Sequence, residues 1–174
     1  NPKQLDQLLH KHFDPLSKKH ATLIAIGLPA SPGATCGKAV FSAERAKEII
    51  EEYPNEKLIL VRNETSPEDI EGMDIAKGIL TSRGGLTSHA AVISRGMGKC
   101  CVAGSNDIHV KEKERCFVVH KNNLIVKEGD WISIDGSTGE VFLGEINLVE
   151  PKEDKDLEML LSFADSFSRL KVRT

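Results

Sequence analysis

Apolar residues fall into two patterns along the chain, short continuous runs and helical stripes. Continuous runs, typical of strands that are covered on both faces, occupy residues 58–61, 76–80 and 100–103. Helical stripes occupy residues 43–52 and 88–95, where apolar positions recur at helical spacing. This alternation of strands and helices predicts an α/β fold in which the buried strands pair in parallel.

Capping and turn residues mark where the predicted elements begin and end. Ser42 is placed to cap the first helix, and Ser66 precedes a proline and two acids that favour a short helix. Gly96 is placed to end the helix that starts near Ser88. Glycines and prolines between residues 22 and 37 favour loops and turns there. Short strands joined by turns are predicted at residues 116–119, 124–126, 131–134 and 141–143.

Both ends of the chain carry amphipathic stripes. A helix that contains Leu5 and Phe13 is predicted to end where Pro15 follows it, and a second stripe runs from beyond Pro151 to Leu170. We expect these helices to be linkers and the chain to be a piece of a longer protein. The predicted division is a linker helix at residues 1–20, a central domain at 21–150 and a second linker helix at 151–174.

The composition is ordinary for a globular chain of 174 residues, with 40% hydrophobic and 28% charged positions. The 23 basic and 26 acidic residues leave a formal charge of −3, which argues against nucleic acid and membranes as partners. The sequence has neither a membrane-spanning run nor a signal-peptide pattern, so we expect a soluble intracellular protein. The cytoplasm is favoured, and a plastid or glycosome-like organelle is the alternative. The cysteine spacing favours buried free thiols and no metal site.

Polar groups that suit phosphate are concentrated in one segment, residues 81–96. If Thr87 or Ser88 caps the helix, His89 lies in its first turn, where free backbone N–H groups and the positive helix end favour an anion. Gly84 and the glycine after it let the backbone approach a ligand closely, and Arg83 can offer a fork of donors to phosphate oxygens. The segment therefore predicts a phosphate-binding environment.

The same helix end suits His89 as a nucleophile. A histidine must be neutral to attack phosphorus, and a positive helix terminus disfavours the imidazolium form. It would also stabilise the attached phosphoryl group without a bound metal. Spacing alone leaves a second interpretation open, in which His89 is an ordinary helix-start residue whose ring bonds to a neighbour.

The run from Gly84 to Arg95, GGLTSHAAVISR, resembles the phosphohistidine signature of the phosphoenolpyruvate-utilising enzymes. Its continuation to Gly104, GMGKCCVAG, resembles the pyruvate phosphate dikinase branch of that family. Two related branches, pyruvate water dikinase and the first enzyme of the sugar phosphotransferase system, usually have an apolar stretch with proline in place of Lys99, Cys100 and Cys101. The resemblance extends from about Gly27 to about Gly144.

The resemblance implies a compact β/β/α phosphohistidine swivelling domain in which His89 is exposed at a helix start. It implies that His89 takes a pyrophosphoryl group from ATP, gives one phosphoryl to inorganic phosphate and passes the other to pyruvate. Phosphoenolpyruvate, AMP and pyrophosphate are then the products of a reversible reaction. The implied partners are an ATP-grasp-type nucleotide-binding domain and a barrel domain that binds phosphoenolpyruvate or pyruvate, in a homodimer. Mg²⁺ would be bound in those other domains, so this chain alone should not complete the reaction.

Several residues near His89 are candidates for binding the phosphoryl group. Thr87 is also a candidate for regulatory phosphorylation, by resemblance to plant members of the family, although a capping role would explain it equally well. Arg95 is a weaker candidate because it lies almost two turns along the helix. Cys100 and Cys101 are predicted to be packing residues on opposite faces of a strand. The phosphoryl-binding candidates are Arg83, Gly84, Gly85, Thr87 and Ser88.

Two alternatives remain on sequence grounds. The chain could be the carrier domain of pyruvate water dikinase or of the phosphotransferase-system first enzyme, and a requirement for inorganic phosphate would separate the two dikinases. It could also be a docking module that keeps the fold and binds a partner without taking phosphate. The intact His89 within an intact signature argues against a docking module.

Overall fold

The computed structural model describes residues 10–150 and, beyond them, positions 159, 162, 163, 166 and 167, which are helical. Residues 1–9 and most of the predicted second linker helix lie outside the described residues. The division of the chain into two linker helices and a central domain therefore stays a prediction. Within the part that is described, no helix is long and apolar enough to cross a membrane.

Residues 10–150 form thirteen strands, four α-helices and two single 3₁₀ turns. The strands are β1 (His12–Phe13), β2 (Thr22–Ile26), β3 (Leu28–Ser31), β4 (Ala34–Val40), β5 (Leu58–Arg62), β6 (Gly78–Thr81), β7 (Cys100–Ala103), β8 (Ile108–Lys111), β9 (Cys116–Val119), β10 (Ile125–Lys127), β11 (Trp131–Asp135), β12 (Glu140–Leu143) and β13 (Leu148–Val149). The helices are α1 (Pro15–His20), α2 (Ala43–Glu52), α3 (Ile70–Ile75) and α4 (His89–Met97), and the 3₁₀ turns are Pro67–Asp69 and Glu112–Glu114.

The main sheet has eight strands in the order β2-β12-β11-β4-β5-β6-β7-β3. Strands β4 to β7 pair in parallel, which confirms the predicted parallel layer, and the flanking strands are antiparallel. Although β2 and β3 lie at opposite edges of this sheet, Gly27 alone separates them in sequence. Two residue steps span at most about 7 Å, so the sheet curls until its edges meet at this glycine.

Two apolar cores lie on the two faces of the main sheet, and β5 contributes to both. Ile59 and Val61 pack toward a smaller sheet of three strands, β10-β9-β8, whereas Leu58 and Leu60 pack toward the helices α2, α3 and α4. Successive strand residues point to opposite faces, so a continuous apolar run is what a doubly covered strand requires. The order of small sheet, large sheet and helices is the β/β/α arrangement that the family resemblance implied, and the α/β fold class is confirmed.

The N-terminal segment differs from the prediction, because Pro15 begins a helix and does not end one. The Asp14 carboxylate accepts the backbone N–H of Ser17 at 2.8 Å, and proline at the first helical position sacrifices no hydrogen bond. The residues just before it, His12–Phe13, form β1 and pair with β13. The predicted helix is therefore wrong at its described end.

Two other expectations also need correction. Residues 22–37 form β2, β3 and the start of β4, where loops were predicted. Pro29 is tolerated there because β3 is an edge strand, in which the missing N–H leaves no partner unpaired. Helix α4 continues through Gly96 to Met97, and its cap is Gly98, which has the left-handed φ of 64°. The expected caps Ser42 and Ser66 are confirmed at the starts of α2 and of the first 3₁₀ turn.

Gly27 generates a stability prediction. A β-carbon at this position would lie 2.7 Å from Val102 Cγ1 and 2.9 Å from the Ala103 carbonyl oxygen, so Gly27→Ala should lower the free energy of unfolding by about 1–3 kcal/mol. Gly96→Ala is the matched control, because nothing lies within 4 Å and alanine favours a helix by up to about 1 kcal/mol. Urea unfolding of both variants measures the difference, and equal stability would contradict the closure of the sheet at Gly27.

Candidate functional site

The site lies at the edge of the main sheet where its parallel strands end. Strands β5 and β6 are neighbours, with Arg62 paired to Thr81 at their carboxyl ends. The loops that follow them, residues 63–66 and 82–88, therefore leave the sheet side by side. Ligands of open α/β sheets commonly bind outside the carboxyl ends of the strands. All of the predicted phosphoryl-binding residues lie in the second of these loops.

His89 is the first residue of α4 and is half-buried. Ser88 caps the helix, with an extended ψ of 161° and a side chain that accepts the backbone N–H of Ala91 at 3.4 Å. The Nδ1 atom of His89 lies 3.1 Å from the hydroxyl oxygen of Thr65. No described residue bonds to Nε2 of this ring. The geometry thus fixes one side of the imidazole and leaves the other available.

Gly84 is required by the shape of the turn before His89. Its φ is +100°, and a β-carbon there would lie 2.9 Å from the Ser88 Cβ atom. Gly104, at the end of β7, packs against the same turn, since its β-carbon would lie 2.3 Å from the Gly84 carbonyl oxygen. Gly85 has open space around it and its carbonyl accepts the N–H of Ser88 at 3.0 Å. Gly84 therefore shapes the turn, while Gly85 leaves room beside it.

The two candidate arginines have different surroundings. Arg83 is exposed, and its backbone N–H donates to the Asn63 carbonyl at 2.9 Å. Its guanidinium pairs with no other described residue. Arg95 instead donates to the carbonyls of Ala30 and Leu86, both at 2.8 Å. Arg95 thus joins the backbone at Leu86 to the backbone at Ala30. In this segment, Arg83 is the arginine whose guanidinium is available to a ligand.

Thr87 is exposed, and the helix cap is its neighbour Ser88. The capping role that the sequence allowed for Thr87 is therefore filled by Ser88. Leu86 and Val92, 48% and 50% exposed, add an apolar border to the same end of α4. This border together with the exposed threonine gives the surface around His89 a mixed polar and apolar character.

Sequence reasoning missed Thr65, which is the residue that contacts the His89 ring. The two residues are 24 positions apart, so helical or strand spacing cannot relate them. The available signal was the parallel pairing of the two buried runs, because the carboxyl ends of neighbouring parallel strands meet at one edge. Thr65 follows the first run by a few residues, as the glycine turn follows the second.

The neighbouring cysteines belong to the cores. Cys100 packs toward the three-stranded sheet and Cys101 toward the helices, which confirms their expected placement on opposite faces of β7. Burial raises the pKa of both thiols, to about 11 for Cys101. All four cysteines are buried and free. Among the described residues, no group of three or more histidine, cysteine or acidic side chains could hold a metal ion.

Comparison with known proteins identifies the class to which this fold and site belong. Residues 54–139 match the family model "PEP-utilising enzyme, mobile domain", and they include the two loops that carry Thr65 and His89. The chain belongs to the family of phosphoenolpyruvate-utilising enzymes, as its signature indicated. A solved structure, the N-terminal domain of Enzyme 1 - Nitrogen, aligns over 81% of this chain and 99% of its own at a TM-score of 0.45 and 13% identity, which is too low to support a conclusion.

Within this family, the chain is similar to pyruvate, phosphate dikinases. It is 50% identical to the chloroplastic pyruvate, phosphate dikinase 1 of Arabidopsis thaliana over 98% of this chain and 17% of the relative. It is 51% identical to the pyruvate, phosphate dikinase of Clostridium symbiosum over 99% of this chain and 19% of the relative. The chain spans less than a fifth of the length of these relatives, which support a phosphotransfer role. Its localisation stays a prediction.

Cys101 generates a pH prediction. Burial raises its pKa from 9.0 to about 11, so the folded state favours the protonated thiol. The resulting stability is complete below pH 9 and is lost as the pH rises toward 11. Between pH 8 and pH 10.5, the free energy of unfolding of the native chain should fall by about 2 kcal/mol more than that of Cys101→Ala. Urea unfolding under reducing conditions measures both. Parallel pH profiles of the two proteins would contradict the protonation argument.

Proposed function

We propose that this chain is the phosphohistidine carrier of a pyruvate phosphate dikinase and that Nε2 of His89 accepts the phosphoryl group. The observation that carries the proposal is the contact between His89 Nδ1 and Thr65, which leaves Nε2 as the nitrogen without a described partner. For Nε2 to hold the lone pair, Nδ1 must hold the proton and donate it to the Thr65 hydroxyl oxygen. The ring is then oriented as a nucleophile before any substrate arrives.

The position of His89 in the first turn of α4 supports this role electrostatically. The positive end of the helix stabilises the anionic phosphoryl group once that group is attached to His89. The side chain is half-buried, so that it is held in place and can still meet a donor from outside.

The proposed reaction proceeds in three transfers. Nε2 attacks the β-phosphorus of ATP, and the bond between that phosphorus and the α-phosphate oxygen breaks. AMP leaves, and the pyrophosphoryl group stays on His89. Inorganic phosphate then attacks the terminal phosphorus, so pyrophosphate leaves and one phosphoryl group stays. Finally the enolate oxygen of pyruvate attacks that phosphorus, which forms phosphoenolpyruvate and returns the lone pair to Nε2. Each step is a displacement at phosphorus and is reversible.

The residues before His89 are proposed to hold the phosphoryl oxygens. The Arg83 guanidinium, which has no partner among the described residues, is available to them, and the Ser88 hydroxyl and the backbone at Gly84 and Gly85 lie in the same turn. Thr87 is exposed, which leaves its hydroxyl open to the proposed regulatory phosphorylation. Mg²⁺ is proposed to act in the other domains, where it would neutralise phosphate charge.

Partner domains complete the proposal. An ATP-grasp-type domain would supply the pyrophosphoryl group, and a barrel domain would bind pyruvate, in a homodimeric enzyme. The high identity to pyruvate, phosphate dikinases favours this enzyme over pyruvate water dikinase and the phosphotransferase-system first enzyme. Availability of Nε2 within the signature favours a carrier over a docking module.

Removal of the His89 ring tests the carrier role. The chain is incubated with the pyruvate-binding portion of a dikinase and phosphoenolpyruvate labelled at phosphorus, and acid-labile label on the chain is measured. We expect label on the native chain and none on His89→Asn, because asparagine lacks the nucleophilic nitrogen. His120→Asn is the control, since His120 is an exposed histidine outside the segment that carries His89. Label that survives in His89→Asn, or native chain that stays unlabelled beside an active partner portion, would refute the proposal.

Substitution of Arg83 tests the phosphoryl-binding turn. Arg83→Gln should slow labelling of His89 by about tenfold or more, since a charge-assisted hydrogen bond contributes about 1.5–3 kcal/mol. Arg83→Lys should restore part of the rate because it restores the charge without the planar fork. Arg115→Gln, at an arginine that is 56% exposed and pairs with Glu128, serves as the control. Equal rates in Arg83→Gln and the native chain would exclude this role.

A further inference from the structure

The loop that carries Thr65 is held from both sides by acidic side chains. Before Thr65, the Glu112 carboxylate accepts the backbone N–H of Asn63 at 3.0 Å and its side-chain amide at 3.3 Å. After Thr65, the Asp69 carboxylate accepts the backbone N–H of Ser66 at 2.9 Å and its hydroxyl at 3.2 Å. Only Glu64 and Thr65 lie between the two anchored residues, so little freedom remains for Thr65.

Arg62 joins the two acids. Its Nη1 atom lies 3.1 Å from Glu112 Oε2 and donates to the Phe41 carbonyl at 3.1 Å, and its Nε atom lies 3.2 Å from Asp69 Oδ1. The contact with Asp69 is an ion pair without a directed hydrogen bond. The Asp69 side chain is 5% exposed, so its charge requires this partner. One guanidinium therefore couples the anchors on both sides of Thr65.

The same loop also holds the segment that leads to His89. The Arg62 carbonyl accepts the N–H of Ser82 at 3.1 Å, and the Asn63 side-chain oxygen accepts the Ser82 hydroxyl at 2.9 Å. Thr65 and His89 thus extend from two strand ends that are bonded to each other. A displacement of the Thr65 loop would therefore change the distance between its hydroxyl and the His89 ring.

We propose that Glu112 and Asp69, coupled through Arg62, are positioning residues that hold the Thr65 hydroxyl against Nδ1 of His89 and so present Nε2 as the phosphoryl acceptor. Neither acid contacts the histidine, and each acts through Thr65. The proposal rests on the proposed role of His89 as the carrier. What it adds is a fixed ring tautomer, with the proton on Nδ1, that exists before any phosphoryl transfer.

The tautomer is measured directly on this chain by ¹⁵N NMR of its histidine rings, at a pH at which His89 is neutral. In the native chain, Nδ1 should carry the proton. Thr65→Val, which removes the hydroxyl and keeps the shape, should shift the tautomer ratio toward Nε2–H by about two- to tenfold, the range that one neutral hydrogen bond sets. Thr65→Ser should restore the native ratio.

Glu112→Gln is the decisive variant, because its side chain is 32% exposed and a glutamine oxygen can still accept the Asn63 N–H, so the fold should survive. It should move the ratio in the same direction as Thr65→Val by about twofold, since it breaks the ion pair to Arg62. Glu56→Gln is the matched control. It removes the ion pair with Lys38, which lies at the opposite end of the parallel strands, and should leave the tautomer ratio unchanged.

A native tautomer ratio in folded Glu112→Gln would overturn the proposal, and so would a native ratio in Thr65→Val. The measurement needs no donor or partner domain. A shifted tautomer in a chain that never accepts label would therefore refute the carrier function and leave the positioning network standing.

Discussion

The parallel pairing of β5 and β6 is the constraint on which the site depends. Parallel neighbours end at the same edge of a sheet and need a long crossover between them, here the first 3₁₀ turn and α3. Both strands are buried on two faces, so their register is fixed by packing. Because Arg62 and Thr81 are paired at their ends, the loops that follow start together. Thr65 and His89 meet for that reason, although neither segment contains a local signal for the other.

The sequence predicts those parts of the fold whose signals are local. The buried runs, the cap at Ser42 and the cap at Ser88 can each be recognised within a few residues, and all are present. Pro15 is different, because proline is compatible with the end of one helix and the first turn of the next. The choice is made by the Asp14 cap and by the pairing of β1 with β13, about 135 residues away. Likewise, β2 and β3 become strands through partners far along the chain.

The site divides in the same way. His89, the glycine turn and the helix cap were predictable because they follow one another in sequence and form one strand-turn-helix unit. The Thr65 contact and the carbonyls held by Arg95 were not, since they depend on how distant segments pack. Arg95 shows the limit most clearly. Its position along the helix predicts only that it is a weaker candidate for phosphoryl binding, not that it joins the Leu86 carbonyl to the Ala30 carbonyl.

A phosphoryl carrier, the role proposed for this chain, must release its group as readily as it accepts it, and the charge distribution around His89 is consistent with that demand. Donors that bound the phosphorylated histidine strongly would lower the free energy of this intermediate and so raise the barrier to the next transfer. Arg83 is exposed, and the other cation of the segment, Arg95, donates to backbone carbonyls. The ion pair between Arg62 and Asp69 lies beside the Thr65 loop, where it is proposed to act on loop position and not on phosphate. An anchored Thr65 loop beside an Nε2 atom that has no described partner suits a group that has to be passed on.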